Sequence, residues 1–563
     1  MLVPRGIGSV HLPASVRVGW CPDKRQLATG RQLAVDADHR APVAGAAEVA
    51  VEIPNQIIQA RSSVAAIRAH QTAGGGIYLG TRSDGWVWSG QQQATLVLGP
   101  PRSGKTSAIV VPSVAASAGA VVCTSTKPDI AQTTVGFRRQ TGPCHVFDPS
   151  GTAVRVPGTD LVRWSPVTSC GSWDMALLAA SSLVDTARRV GAGGAVRPMG
   201  NDHWTERATA LLAPILHAGA LGGADMATVV GWIDRHQAEP ALEILDQYEA
   251  RVAGDLLAGI AITDPREQSG IWSTASGSLA AYRSHGALST AREPNFDPAA
   301  FIDAGATLYI CAPAHQQAVF APLVVALLAD VRNAIYARSA SLDSQGLPRP
   351  QPVLFALDEV ANIAPLPDLP AMVSEGGGQG LLILACLQDL SQARTRWGGA
   401  ADGFLSLFGT TVVLPGIGDT HTLRSLSDLA GEHDVLYQSV SAPNRPPRSR
   451  GAALARRIVL GQRGSDPGIH RAPTVTATAV PRRRLTIDEA AHGRPGAALM
   501  LDRTKNLHWI GLTPWFCSEP WRSAIGHTRD VPDDRYPCTM QLPVDARSTE
   551  RPSARGWETG LGR

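Results

Sequence analysis

Lysine is nearly missing from this chain of 563 residues: only Lys24, Lys105, Lys127 and Lys505 occur, so 47 of the 51 basic residues are arginine. Arginine is the default cation here, which makes any one arginine weak information and any well-placed lysine stronger. Paired cysteines are missing too. The eight cysteines are dispersed with no C-x-x-C, which argues against a disulfide framework or a zinc ribbon and fits a reducing compartment. None of the fifteen histidines lies three to five residues from another, so a local histidine-based metal site has no support. No uninterrupted apolar run reaches 18 residues and Met1–Val10 has no apolar signal core; the expectation is a chain that is neither exported nor membrane-spanning. Excess charge is lacking as well. Fifty-one basic against 48 acidic residues, formally +3, is too even a balance to imply nucleic acid by itself.

What is present suits a globular protein: 44% hydrophobic and 18% charged residues exclude collagen-like or wholly disordered character. The length exceeds the roughly 250–300 residues at which one core usually splits, so two or three domains are expected. Residues 1–75 are mixed and Ala-rich, with a pattern around Val49–Ile67 that suggests a short strand and a helix. Gly74-Gly75-Gly76 reads as a boundary. Short continuous apolar runs follow at Thr95–Leu98, Ala120–Thr124, Thr307–Cys311, Val353–Leu357, Leu381–Leu387 and Thr411–Leu414. Runs of that length, separated by helical patterns, predict parallel strands covered on both faces, hence a doubly wound α/β domain.

Between the second and third of these runs the strand signal vanishes. Trp204, Ala208, Leu211, Leu212, Ile215 and Leu216 share one helical face, and Leu242, Leu245 and Tyr248 continue that character. The reading is a nucleotide-binding domain over 76–174 and 296–440, interrupted by an all-α domain over 175–295. Residues 441–484 hold ten arginines against one acid, Asp466, with frequent Pro and Gly, which predicts a long exposed loop. Ala497–Leu501 and Leu507–Gly511 then close the sheet within 485–524, and a polar tail runs from 525 to 563.

The chemistry starts at Gly99-Pro100-Pro101-Arg102-Ser103-Gly104-Lys105-Thr106, which fits G-x-x-x-x-G-K-[ST]. It follows a strand and opens a helix at Ser107, the context in which backbone N–H groups converge on phosphate oxygens. By composition a chain this long would show only about 0.005 such matches. Lys105 is placed to reach the β- and γ-phosphates, and the Thr106 hydroxyl to ligate Mg²⁺. The strand Val353–Leu357 ends in Asp358-Glu359. Asp358 is a candidate magnesium ligand, and Glu359 a candidate to orient and deprotonate attacking water. A water activator suits a hydrolase, whereas a small-molecule kinase must exclude water. Gln388, at the end of Leu381–Leu387, is a candidate for the γ-phosphate or the water; a polar cap on a core strand is its plainer alternative.

Taken in order, these segments resemble the type IV secretion coupling proteins, conjugative DNA-transfer ATPases of the FtsK/HerA-like group. The resemblance also covers Val121-Val122-Cys123-Thr124-Ser125-Thr126-Lys127-Pro128-Asp129, Asp202-His203-Trp204, Asp358 to Ile363, Leu387-Gln388-Asp389-Leu390-Ser391-Gln392, and Arg484-Leu485 with Gly496 to Leu501. It implies a RecA-like P-loop NTPase that uses ATP and Mg²⁺. It further implies a homo-hexamer at the inner, cytoplasmic face of the cell membrane, delivering single-stranded DNA with a relaxase-type protein to secretion channel proteins. Two departures stand out. Family members commonly place an arginine between the glycines after the acidic strand, acting on the neighbouring subunit's γ-phosphate. Here Gly377 holds that place, and Arg394, Arg396 and Arg424 are the candidates to replace it. The family's N-terminal membrane helices have no counterpart in the sequence, so either the start is truncated or a partner supplies the anchor. Within 441–484, Arg456, Arg457, Arg482, Arg483 and Arg484 are candidate DNA contacts, weighed against a plain solvated face. Two alternatives remain open: a nucleotide-dependent docking receptor with weak hydrolysis, and a protein-only secretion motor.

Overall fold

The computed structural model describes residues 55–73, 75–83, 85–152, 155–191, 202–348, 350–441, 459 and 474–526, all within the compact unit Ile53–Arg563. After a helix, Asn55–Thr72, the chain forms a hairpin, β1 (Tyr78–Arg82) with β2 (Gly85–Trp88). The main strands follow: β3 (Thr95–Leu98), β4 (Val121–Ser125), β5 (Cys144–Phe147), β6 (Asp160–Leu161), β7 (Thr307–Cys311), β8 (Val353–Leu357), β9 (Leu381–Leu387) and β10 (Thr410–Val413). A ribbon of β11 (Glu432–Ser441) and β12 (Thr474–Arg483) comes next, then β13 (Ala497–Leu501) and β14 (Leu507–Gly511).

Ten strands form one sheet in the order β14-β13-β10-β3-β9-β8-β4-β7-β5-β6. Every pairing from β10 to β6 is parallel, and only β10–β13 and β13–β14 are antiparallel. The strands β3, β4, β7, β8, β9 and β10 are buried along their whole length, because helices cover both faces. Leu96 and Leu98 pack into the core on one face while Val97 packs into the core on the other. Each such leucine contributes roughly 1.5–3 kcal/mol on burial, and alternating faces make the register unambiguous.

The stretch from Trp173 to Asp303 is helical between β6 and β7 among the described residues. Helix Asp202–Gly222 buries Ala208, Leu211, Leu212, Ile215 and Leu216 completely, with Trp204 half-buried. Its core is continuous with that of the sheet. Helix Gln317–Ser344 is long and apolar enough to cross a membrane by length and composition, yet most of its apolar stretch is buried against that same core.

Three expectations are corrected. The sheet extends two strands further, to β5, whose short run is interrupted by His145, and β6, which has only two exposed residues. Tyr248 does not continue the buried helical face; it caps helix Glu239–Gln247 and is 52% exposed. Residues 474–483 are not loop but the second strand of the ribbon, in register from Glu432↔Arg483 to Ser441↔Thr474. The β-branched run Thr474-Val475-Thr476 supplies strand propensity that the surrounding Pro and Gly obscured. At the N-terminus, Val49–Ile67 gives a helix from Asn55, while residues 49–54 lie outside the described residues, as does 527–563 of the expected tail.

Candidate nucleotide site

The phosphate loop leaves the buried end of β3. Gly99 must be glycine, because a Cβ there would lie 2.8 Å from Ser103 Oγ and 2.9 Å from Leu414 Cβ. Its N–H donates to the carbonyl of Leu387, the last residue of β9, at 3.1 Å. Gly104 has φ +95°, a left-handed conformation that costs glycine little. The first turn after the loop is wide: Val111 N–H donates to Thr106 O, five residues back, just ahead of Pro112, which has no N–H to give. Wide turns of this kind gather at functional sites.

Lys105 is buried, and its ammonium donates to the carbonyls of Gly99 and Pro100, the latter at 2.9 Å. Thr106 Oγ1 donates to Asp358 Oδ2 at 2.7 Å, across 252 residues of sequence. The main-chain carbonyl of Asp358 accepts from Thr124 Oγ1 of β4 at 3.1 Å. Burial pushes the Asp358 carboxyl above the usual carboxylate range. The Thr106 hydroxyl and the Lys105 charge oppose that shift, and Glu359 and Asp129 add to it. Glu359 follows with φ 53° and ψ 48°, a left-handed backbone at a non-glycine residue. Such outliers persist only where surrounding structure holds them, and they cluster at active sites.

Gln388 stands at the end of β9, between the strands that carry the loop and Asp358. Gly99–Thr106, Asp358, Glu359 and Gln388 thus share the C-terminal edge of three adjacent strands, where parallel sheets open their ligand crevice. Gln388 N–H donates to Gln392 Oε1 at 2.9 Å. Behind it, Leu390 N–H donates to Thr422 Oγ1 at 3.0 Å, and Arg394 reaches Asp419 Oδ2 at 3.0 Å and His421 Nδ1 at 3.1 Å. This clamp was missed from sequence, since its partners lie 25 to 32 residues apart. Asp129 was missed as a neighbour of Asp358 for the same reason, although the resemblance had covered its segment.

The remaining candidates separate. Arg394 is committed to Asp419, Arg396 is half-buried on helix Leu390–Trp397, and Arg424 is exposed on helix Thr420–Ala430. Arg482 lies over the Tyr437 ring at 5.2 Å. Arg483 pairs with Asp428 at 2.9 Å and Ser427 at 2.8 Å, and Arg484 donates to Glu432 O at 3.2 Å. Arg456 and Arg457 lie outside the described residues.

A glycine-rich loop between a buried parallel strand and a helix, with an acid-ended strand two places away bonded to its threonine, defines a P-loop NTPase of the α/β class. The match is more specific than that class. The chain belongs to the type IV secretory system conjugative DNA transfer family, whose profile matches residues 48–457. Among solved structures it is similar to the unbound bacterial conjugative coupling protein TrwBΔN70, with TM-score 0.55, 17% identity and coverage of 75% of this chain and 85% of that one. It is also similar to the plasmid coupling protein TrwB in complex with ADP and Mg²⁺, with TM-score 0.53, 18% identity and 75% and 86% coverage. At that identity the likeness shows a shared fold. Among curated proteins, no match was found.

Proposed function

We propose that this protein is an ATP-dependent coupling protein. It moves single-stranded DNA with an attached relaxase-type protein toward a type IV secretion channel, as a homo-hexamer at the inner face of the membrane. The single observation that carries the reading is the 2.7 Å bond joining Thr106 to Asp358. It brings together the hydroxyl and the carboxylate that a nucleotide-bound Mg²⁺ requires. Mg²⁺ takes one or two protein oxygens and fills its other positions with water and phosphate, so this pair fits it. Among the described residues no cluster of three His, Cys, Asp or Glu offers an alternative metal site.

When bound, Mg²⁺ neutralises charge developing on the β- and γ-phosphates. The protein's own part is positional. N–H groups of Gly104–Ser107 at the helix start cradle the phosphates, with Gly99, Pro100, Pro101, Arg102 and Ser103 shaping the loop. The Lys105 ammonium exchanges its bonds to the Gly99 and Pro100 carbonyls for phosphate oxygens. Glu359 accepts a proton from the attacking water, and the Gln388 carboxamide orients that water against the γ-phosphate. The ribbon of β11 and β12 is not needed for this chemistry; Arg482 and Arg483 at its end, with Arg484 just beyond, serve as DNA contacts.

ATP turnover of the purified chain, with and without single-stranded DNA and beside Lys105→Ala, tests the reading. DNA-stimulated turnover lost in Lys105→Ala is the expected result. Turnover that ignores DNA would favour a protein-only motor, and none under any assembly condition would sink the motor reading. Gly377 favours one second reading, a docking receptor that binds nucleotide and recruits substrate with little hydrolysis.

A further inference from the structure

Gly377 cannot carry the arginine that the family resemblance leads one to look for. We propose that Arg102, inside the phosphate loop, supplies the missing charge to the γ-phosphate of its own subunit's nucleotide. The inference rests on the nucleotide-binding reading above.

Three observations converge on this residue. Arg102 lies three positions before Lys105 in the loop, so its guanidinium needs no second subunit to come near the phosphates. Its backbone sits at φ 61°, in the left-handed region where glycine is at ease and an arginine is not. A strained backbone at a binding loop points to a use for the side chain it carries. The side chain is exposed, and among the described residues it makes no hydrogen bond or ion pair. The two cations of the loop therefore differ, since Lys105 is buried and bonded to two carbonyls. Next to it, the Ser103 hydroxyl is buried without a hydrogen-bond partner, a second polar group that the loop itself does not satisfy.

The rival arginines are placed less well. Arg394 is held by Asp419 and His421, while Arg396 and Arg424 sit on helices behind Gln388 rather than in the loop. The chemistry needs no proton from Arg102. Water attacks the γ-phosphorus, the bond to the β–γ bridging oxygen breaks, and ADP and phosphate leave. The guanidinium, always charged, donates N–H bonds to γ-oxygens whose charge grows during transfer. An arginine acting in cis is an established solution to this demand.

The test compares Arg102→Gly, Arg102→Lys, Arg396→Ala and Arg424→Ala with the parent chain. Affinities for ADP and for a non-hydrolysable ATP analogue are measured with Mg²⁺, beside kcat and KM for ATP. Arg102→Gly keeps the strained backbone comfortable while removing the charge. It should hold ADP within about twofold, bind the ATP analogue at least about tenfold more weakly, and lose about 10²-fold or more in kcat. Arg102→Lys should recover part of that loss, and the Arg396 and Arg424 variants should match the parent. Parental kcat and analogue affinity in Arg102→Gly would overturn the proposal. So would an equal loss of ADP and analogue, which reports a collapsed loop. A parent that turns over no ATP would refute the hydrolysis reading alone, because the ratio of analogue to ADP affinity still tests Arg102.

Discussion

Placing at Gly377 the arginine that the resemblance leads one to expect should damage the fold instead of accelerating hydrolysis. A Cβ at Gly377 would lie 1.8 Å from the Gln92 carbonyl oxygen, 2.6 Å from its carbon and 3.0 Å from its Cα. These are backbone atoms, so no side-chain rotation relieves the contact. The turn they belong to is itself constrained: Gln92 has φ 54°, and Gln93 N–H donates to Gly90 O at 3.2 Å just before β3 begins. Overpacking of this kind costs about 1–3 kcal/mol, with the upper end expected here because main chain must move. At about 2.1 cal/mol/K per residue, a chain of this size unfolds with roughly 1 kcal/mol/K, so Tm should fall by about 1–3 °C. Hydrogen exchange should also speed up at Gln93–Thr95. Gly378→Arg is the control, since a Cβ there meets nothing within 4 Å and should leave Tm unchanged. Parental Tm and exchange in Gly377→Arg, or a gain in turnover, would refute the argument that this position is closed by packing.

Four further outcomes follow from the same structure. Because burial raises the Asp358 pKa above its unfolded value, the folded state holds that proton more tightly, and the group's contribution to stability is lost as pH rises through the folded pKa. Asp358→Asn should therefore melt above the parent at pH 7 without Mg²⁺, with the gap closing as pH falls below the raised pKa; a gap that widened on acidification would contradict this. Arg138 is completely buried and donates to Ser117 O, Gly119 O and Thr307 Oγ1. Arg138→Met should cost about 2–4 kcal/mol in denaturant unfolding by stranding those acceptors. Arg483→Ala should cost under about 1 kcal/mol, as its pair with Asp428 is exposed; binding of single-stranded DNA should weaken and its salt dependence flatten in Arg482→Ala/Arg483→Ala/Arg484→Ala, and an unchanged salt slope would return the ribbon to plain surface.

The parts of this fold that could be read in advance are those whose signal is local. β3, β8 and β9 are buried on both faces, so each had to be a continuous apolar run, and such runs are visible without knowing their neighbours. The phosphate loop is equally local, because close backbone approach demands small residues at fixed spacing. β6 escaped notice because it is a two-residue edge strand, and β5, paired on both sides, because His145 breaks its short apolar run. The clamp of Arg394, Asp419 and Thr422 behind Gln388 escaped because polar pairs across 25 to 32 residues leave no periodic trace.

Gly377 and Arg102 show how the two kinds of information complete each other. From sequence, a glycine in place of an arginine reads as a loss, and an arginine within the phosphate loop reads as one more cation in an arginine-rich chain. The fold changes both. The glycine is required by the Gln92 main chain 1.8 Å from where its Cβ would be, and the arginine occupies a left-handed position that would favour glycine. Packing thus closes position 377 to any side chain, whereas position 102 keeps an arginine that its backbone conformation does not favour. A charge excluded from one segment by packing and retained in another against backbone preference is the pattern expected when the same phosphate must still be met.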